Sequence, residues 1–166
     1  ERNGNLEKLK KLLPKLEGFD CIHWGGLAEP LLNKDIYELT KLAKTIVSRV
    51  KVTTNGTTLN PKVVTKIIEC GMTDVEISLD GFDGKTNMKY RGSDESKVIG
   101  YLEDLSNRSD IPLQINSVLS SVNIDSLWDA IDKLKNVKNL RKMHTIPLFI
   151  TDHMNKLGIG PAKLED

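Results

Sequence analysis

The stretch of sequence that decides the fold is residues 74–81, Asp-Val-Glu-Ile-Ser-Leu-Asp-Gly. Apolar and polar side chains alternate along it, and successive side chains of a strand point to opposite faces of a sheet. The alternation predicts a strand over residues 74–79 with one apolar face, formed by Val75, Ile77 and Leu79. The opposite face carries Glu76, Ser78 and Asp80.

Three other segments, residues 19–24, 50–54 and 112–120, divide their side chains in the same way. Their apolar positions are Ile22, Trp24, Val50, Val52, Leu113 and Ile115. Their polar positions are Cys21, His23, Lys51, Thr53, Asn55, Gln114 and Asn116. A sheet covered by helices on both faces would have almost continuously apolar strands. The alternation therefore predicts a full or partial barrel, with a polar lumen and helices outside only; the alternative is that polar residues near strand ends merely cap loops.

Helical periodicity separates these strands. It predicts helices over residues 5–16, 34–49, 61–71, 93–107 and 125–137, and a last strand over residues 142–150. Asn60 caps the third helix and Gly71 ends it. Alternating strands and helices indicate βα units and a parallel sheet. We expect one α/β domain over residues 1–155, followed by an irregular tail over residues 156–166.

Composition narrows the function. The 166 residues contain 24 Lys and Arg against 23 Asp and Glu, a net charge of +1 that argues against nucleic acid or a membrane surface as partner. No apolar run could span a bilayer and no signal peptide is visible, so a cytoplasmic location is expected. Only two cysteines occur, which excludes a disulfide framework, a four-cysteine zinc site and an iron–sulfur cluster ligated entirely within this chain.

The candidate binding residues follow the predicted strands, because ligand sites of βα folds lie at the carboxyl ends of the strands. Gly25 and Gly26 allow close approach to the main chain. Glu29, next to Pro30, could meet a cationic ligand group or could stabilise the first turn of the following helix. Arg91, in a predicted loop, could clamp a carboxylate or could be a solvated surface residue.

Other side chains have simpler interpretations. His23 is predicted to be a hydrogen-bonded interior residue, and Cys21 and Cys70 are predicted to be small buried residues. The other two histidines, His144 and His153, have no partner at the spacing of metal ligands.

Four segments in order, residues 25–32, 53–56, 77–81 and 90–92, read GGLAEPLL, TTNG, ISLDG and YRG. This series resembles the radical S-adenosylmethionine superfamily over roughly residues 5–150. The branch it resembles most includes members that act on molybdenum cofactor, haem and peptides. The resemblance implies a six-stranded partial TIM-like barrel, of which this chain would provide five parallel strands.

The resemblance also implies roles for individual residues. Main chain around Gly26 and Ala28, with Glu29, would meet the methionine amino group of S-adenosylmethionine, and Arg91 would approach its carboxylate. Pro147 and Leu148 would face adenine. The remaining implied cofactor-binding residues are Thr53, Asn55, Ser78, Asp80 and Asn116.

The sequence departs from the family pattern twice. Ala28 stands where Gly is usual, and the family's Cys-x3-Cys-x2-Cys segment, which binds a 4Fe-4S cluster, has no counterpart. The helix over residues 5–16 matches the one that follows the cluster loop, so we expect a fragment of an active enzyme rather than a relative that lost its cluster. The fragment alone would be inactive.

By this resemblance the parent protein is a metal-binding oxidoreductase. It would cleave S-adenosylmethionine reductively to a 5′-deoxyadenosyl radical that modifies a cofactor precursor, another small molecule or a peptide, with flavodoxin or ferredoxin as reductant. One alternative is a cluster-less, non-catalytic module that binds S-adenosylmethionine or a protein. The other is an ordinary βα-barrel enzyme fragment with a phosphate site near Gly56 or Gly81.

Overall fold

Strands and helices alternate through residues 6–148, the part of the chain that the structure, a computed structural model, describes. The strands are β1 (Cys21–Trp24), β2 (Arg49–Thr54), β3 (Asp74–Ser78), β4 (Leu113–Leu119) and β5 (Leu140–Pro147). The α-helices are α1 (Leu6–Leu12), α2 (Ile36–Ala43), α3 (Pro61–Glu69), α4 (Thr86–Arg91), α5 (Glu95–Arg108) and α6 (Trp128–Leu134). Short 3₁₀ helices cover Leu13–Leu16, Pro30–Leu32 and Asp125–Leu127.

The five strands form one sheet in the order β1-β2-β3-β4-β5, and every neighbouring pair is parallel. Crossovers between parallel strands are right-handed, so a sheet whose order never reverses carries its helices on one face. A doubly wound sheet would reverse direction at a switch point. The strand order confirms the predicted partial barrel with helices outside.

The helix-facing side of the sheet forms the core. The side chains of Val52, Val75, Ile77, Leu113 and Ile115 are at most 1% exposed. They belong to one apolar cluster with residues of α3, α5 and α6. Burying a side chain of this size contributes about 1.5–3 kcal/mol. The assignment of strand faces from the alternation is therefore confirmed.

Helix α3 begins and ends where the sequence predicts. Asn60 Oδ1 accepts the main-chain N–H groups of Lys62 and Val63 at 3.0 and 3.1 Å. Gly71 has φ +76°, the left-handed conformation that glycine adopts without strain beyond a helix end.

Two predicted helices are too long. The first changes from α1 to a 3₁₀ turn at Leu13, because Pro14 has no N–H to continue the α-helical pattern. The second ends at Ala43, where Thr45 Oγ1 donates to the Leu42 carbonyl at 2.7 Å and competes with helix continuation.

The prediction that Arg91 lies in a loop is wrong, since Arg91 is the last residue of α4. Asp83 accepts the N–H groups of Lys85 and Thr86 at 2.9 and 2.7 Å, which starts this helix. Gly92, with φ +71°, ends it.

The predicted helix 125–137 is a 3₁₀ turn followed by the shorter α6, and β5 begins two residues before its predicted start. The end of the predicted last strand, residues 149 and 150, lies outside the described residues, as does the predicted tail over residues 156–166. None of the helices within residues 6–148 combines the length and apolar character that crossing a bilayer requires.

Candidate functional site

The candidate site lies at the carboxyl edge of the sheet, meaning the residues that directly follow β1 to β4 together with the lumen side chains beside them. Gly26, in the exposed loop after β1, has φ +134°, and a Cβ built there would meet nothing within 4 Å. Ala28 is exposed in the same loop. The main chain at both residues is therefore open to a ligand.

Glu29 holds the ends of β1 and β2 together. Its Oε1 accepts the Leu31 N–H at 3.1 Å and the Thr54 hydroxyl at 2.7 Å, and its Oε2 accepts the Asn55 N–H at 2.8 Å. The cap on the 3₁₀ helix Pro30–Leu32 confirms the structural interpretation of Glu29. The carboxylate also shapes the loop that contains Gly26 and Ala28.

A hydrogen-bonded row of side chains crosses the lumen face. Thr53 Oγ1 donates to Glu76 Oε2 at 2.8 Å and lies 2.7 Å from His23 Nε2. A threonine hydroxyl has one proton, so His23 Nε2 must be the donor to Thr53. Asn116 Nδ2 donates to Glu76 Oε2 at 3.3 Å. His23 is hydrogen-bonded as predicted, but its side chain is 47% exposed.

Glu76 is buried on the lumen face. The residue is 6% exposed because Lys51, Thr53 and Asn116 surround its carboxylate. Burial would raise the pKa of Glu76, but the hydrogen bonds of Lys51 and Thr53 and the Lys51 charge outweigh it, so the pKa lies below the ordinary value. Glu76 is therefore a structural anion of the lumen.

Ser78 and Asn116 lie side by side, because Ser78 of β3 pairs in register with Asn116 of β4. Asn116 Oδ1 also accepts Gln114 Nε2 at 2.7 Å. Asn55 Oδ1 accepts both the N–H and the hydroxyl of Thr57, at 3.0 and 2.7 Å. The strands thus bring Thr53, Ser78 and Asn116 to one face, with Asn55 at its edge.

Asp80 and Arg91 form an ion pair on the β3 side of the site. Arg91 Nε donates to Asp80 Oδ2, while Asp80 Oδ1 accepts the Val118 N–H at 2.8 Å. Arg91 is half-buried, so the interpretation of a solvated surface residue is wrong. Among residues 6–148 no partner engages its terminal nitrogens, which leaves that edge for a carboxylate.

A cavity of about 280 Å³ adjoins this ion pair. Asp80 and Arg91 line it on one side, and Val118, Val122 and Leu148 contribute apolar side chains. Sites for small organic ligands combine mostly apolar walls with few polar groups. The lining of this cavity has that character.

Sequence reasoning missed three buried side chains that support the edge: Asn87, Ser93 and Asn123. Asn123 Nδ2 donates to the carbonyls of Asp80 and Val118 at 2.7 and 2.6 Å and so joins the ends of β3 and β4. No local pattern indicates this role, since the contact with Asp80 spans 43 residues. The glycine at position 81 is the signal that the sequence offers for close packing at this edge. A Cβ at this position would lie 2.5 Å from Thr86 Cβ.

The described residues do not fit a metal centre. Within residues 6–148, no three His, Cys, Asp or Glu side chains are placed to hold a metal ion. Cys70 is buried, as predicted, whereas Cys21 is only partly buried at the start of β1. Neither cysteine belongs to a group of three such side chains within residues 6–148.

The fold and the edge define a class: a partial (βα) barrel with polar side chains and a cavity at the carboxyl ends of its strands. The family model for the radical SAM superfamily matches residues 2–134, and the chain belongs to this family. The family that the sequence motifs indicated is thereby confirmed.

Two relatives and one solved structure show the range of similar proteins. The AdoMet-dependent heme synthase of Methanosarcina barkeri is 29% identical over 66% of this chain and 32% of its own length. The mycofactocin maturase MftC of Mycolicibacterium smegmatis is 30% identical over 76% of this chain and 33% of its own. The chain spans about a third of the length of these relatives. Streptococcus suis SuiB bound to S-adenosylmethionine superposes with a TM-score of 0.72 at 18% identity, over 92% of this chain and 36% of that chain.

Proposed function

We propose that this chain is the S-adenosylmethionine-binding core of a radical SAM enzyme. The proposal rests on three features that lie together at one edge of the sheet. They are the open main chain at Gly26, the lumen-facing side chains of Thr53, Ser78 and Asn116, and the Asp80–Arg91 pair. Family membership supports the identity of the ligand.

The residues present fit S-adenosylmethionine group by group. Main-chain carbonyls of the loop at Gly26 and Ala28, which Glu29 holds in place, accept the amino group. The free edge of Arg91 binds the carboxylate, and Asp80 orients the guanidinium. Thr53, Asn55, Ser78 and Asn116 line the middle of the ligand, and the cavity near Leu148 takes the adenine. The bound cofactor would supply the radical chemistry of this family.

Within residues 6–148, no three side chains are placed to hold the 4Fe-4S cluster of the family. We propose that its ligands belong to a longer parent protein, in line with the greater length of the relatives. For that protein we propose a cytoplasmic location and a flavodoxin or ferredoxin as reductant.

The proposed substrate is a peptide or a small cofactor precursor. Names among the similar proteins support both classes, since one is a mycofactocin maturase, one is a heme synthase, and SuiB has been crystallised with its precursor peptide SuiA.

The test is the formation of 5′-deoxyadenosine. The parent protein is prepared anaerobically with its cluster, S-adenosylmethionine and a chemical reductant are added, and products are separated by chromatography. We expect 5′-deoxyadenosine from the wild type and at least tenfold less from Arg91→Ala, while Lys138→Ala, a change in an exposed residue outside the site, leaves the yield unchanged. A cluster-loaded protein that forms none contradicts the proposal.

A second candidate is a non-catalytic module on the same scaffold that binds S-adenosylmethionine or a protein. Binding to the 166-residue chain alone separates the two. If the chain is the core of an enzyme, we expect weak binding of S-adenosylmethionine, because the iron of the cluster is absent. If the chain is a non-catalytic module, we expect micromolar affinity.

A further inference from the structure

Asn87 is a fully buried amide that links the two ends of the connection between β3 and α5. Its Oδ1 accepts the Asp80 N–H at 3.0 Å. Its Nδ2 donates to the Ser93 carbonyl at 2.9 Å and to Ser93 Oγ at 2.8 Å. Asn87 is 0% exposed, so the amide is unavailable to solvent or ligand and acts only on its protein neighbours.

Arg91 depends on these contacts for its position. Asn87 and Arg91 lie one turn apart in α4, which has only six residues and is too short to be stable by itself. Packing holds the start of the helix, since Gly81 lies against Thr86 and the Asn87 main chain. The Asn87 side chain hydrogen-bonds both to Asp80, just after β3, and to Ser93, just after α4.

The same side chain connects the two halves of the site. Ser93 Oγ, which receives a hydrogen bond from Asn87, donates to the Asn55 carbonyl at 3.2 Å. The Asn55 N–H donates in turn to Glu29. A continuous set of hydrogen bonds thus runs from the loop at Gly26 to the Asp80–Arg91 pair.

We propose that Asn87 is a positioning residue for Arg91. It fixes the distance between Arg91 and the loop after β1, so that one ligand can place its carboxylate at Arg91 and its amino group at the loop. The inference rests on the proposed function, in which these two groups belong to S-adenosylmethionine. Asn87 then governs recognition of the carboxylate, although it touches no ligand atom.

The test compares two ligands on the 166-residue chain, S-adenosylmethionine and its decarboxylated analogue, by equilibrium dialysis. Asn87→Asp keeps an acceptor for Asp80 N–H but removes the donors to Ser93, and Ser93→Ala removes only the hydroxyl. We expect Asn87→Asp to weaken binding of S-adenosylmethionine about tenfold, the loss of roughly one charge-assisted contact, with little change for the analogue. Ser93→Ala should have a smaller effect in the same direction.

Asn139 provides the matched control, because it is also a buried asparagine whose Nδ2 donates to two main-chain carbonyls, those of Ser109 and Ile111, away from the carboxyl edge. Asn139→Asp should lower the melting temperature without changing the ratio of the two affinities. If Asn87→Asp or Ser93→Ala weakens both ligands equally, or leaves the ratio unchanged, the positioning role is wrong. If the wild type binds the two ligands equally, or neither, the proposed cofactor site itself fails, and the inference fails with it.

Discussion

At the scale of single residues, Gly26 and Ala28 differ in what their backbone requires. Gly26 has φ +134°, whereas none of the non-glycine residues within residues 6–148 has a positive φ, so Ala28 has an ordinary backbone conformation. The Ala28 methyl group therefore affects only the room for a ligand. The departure of Ala28 from the family pattern is compatible with the loop conformation.

Reciprocal substitutions test this difference. Gly26→Ala imposes strain of about 1–3 kcal/mol on the loop and should lower the affinity for S-adenosylmethionine about tenfold or more. Ala28→Gly removes only the methyl group and should raise the affinity about threefold, or roughly 0.6 kcal/mol. Equilibrium dialysis on the two variants checks both signs, and equal losses in both would show that Ala28 is needed for loop conformation.

At the scale of elements, α4 determines where Arg91 lies, and Asp83 starts that helix. The Thr86 N–H hydrogen bond, together with those from the Lys85 N–H and the Thr86 hydroxyl, lowers the pKa of Asp83 to about 2. A carboxyl group with a depressed pKa stabilises the fold above its unfolded pKa, here near 3.8, and this contribution is lost as the pH falls through its folded pKa.

We therefore expect Asp83→Ala to lower the free energy of unfolding by about 1 kcal/mol at neutral pH, as loss of hydrogen bonds between a side chain and the main chain does. The difference from wild type should be constant above pH 4 and should shrink between about pH 4 and pH 2. Urea unfolding at several pH values measures it. Asp110→Ala, at an exposed aspartate, is the control and should leave the free energy of unfolding nearly unchanged at neutral pH. A difference that stays constant down to pH 2 would contradict the role of the Asp83 carboxylate.

The alternation of apolar and polar side chains made the strands and their faces predictable, because a buried apolar face must recur every second residue. Helix α4 was missed because its six residues lack an apolar stripe, although Asp83 and Gly92 mark its two ends. The Asn87 and Asn123 contacts were not predictable, since they depend on main-chain atoms that only the folded sheet brings together. Arg91 was identified, but its pairing with Asp80 was not.

At the scale of the whole molecule, the consecutive strand order brings the loop after β1 and the polar lumen side chains of β2, β3 and β4 to one side of one sheet, and α4 adds Arg91. The apolar face supports the helices, and the polar face, with its ion pair between Lys51 and Glu76, forms the lumen wall. The chain corresponds to about a third of the relatives it matches. We propose that the barrel core supplies the cofactor contacts, and that the rest of the parent protein supplies the cluster ligands and the contacts to the substrate.

We propose that S-adenosylmethionine binds at the carboxyl edge of this sheet. Titration of the ¹⁵N-labelled chain with S-adenosylmethionine, followed by two-dimensional NMR, tests this binding directly. We expect the amide signals of Gly26, Asn55, Ser78 and Asn116 to shift together along one binding curve, while the amide signal of Asn139 stays in place. Shifts confined to residues near Asn139, or no shifts at saturating ligand, would contradict the claim.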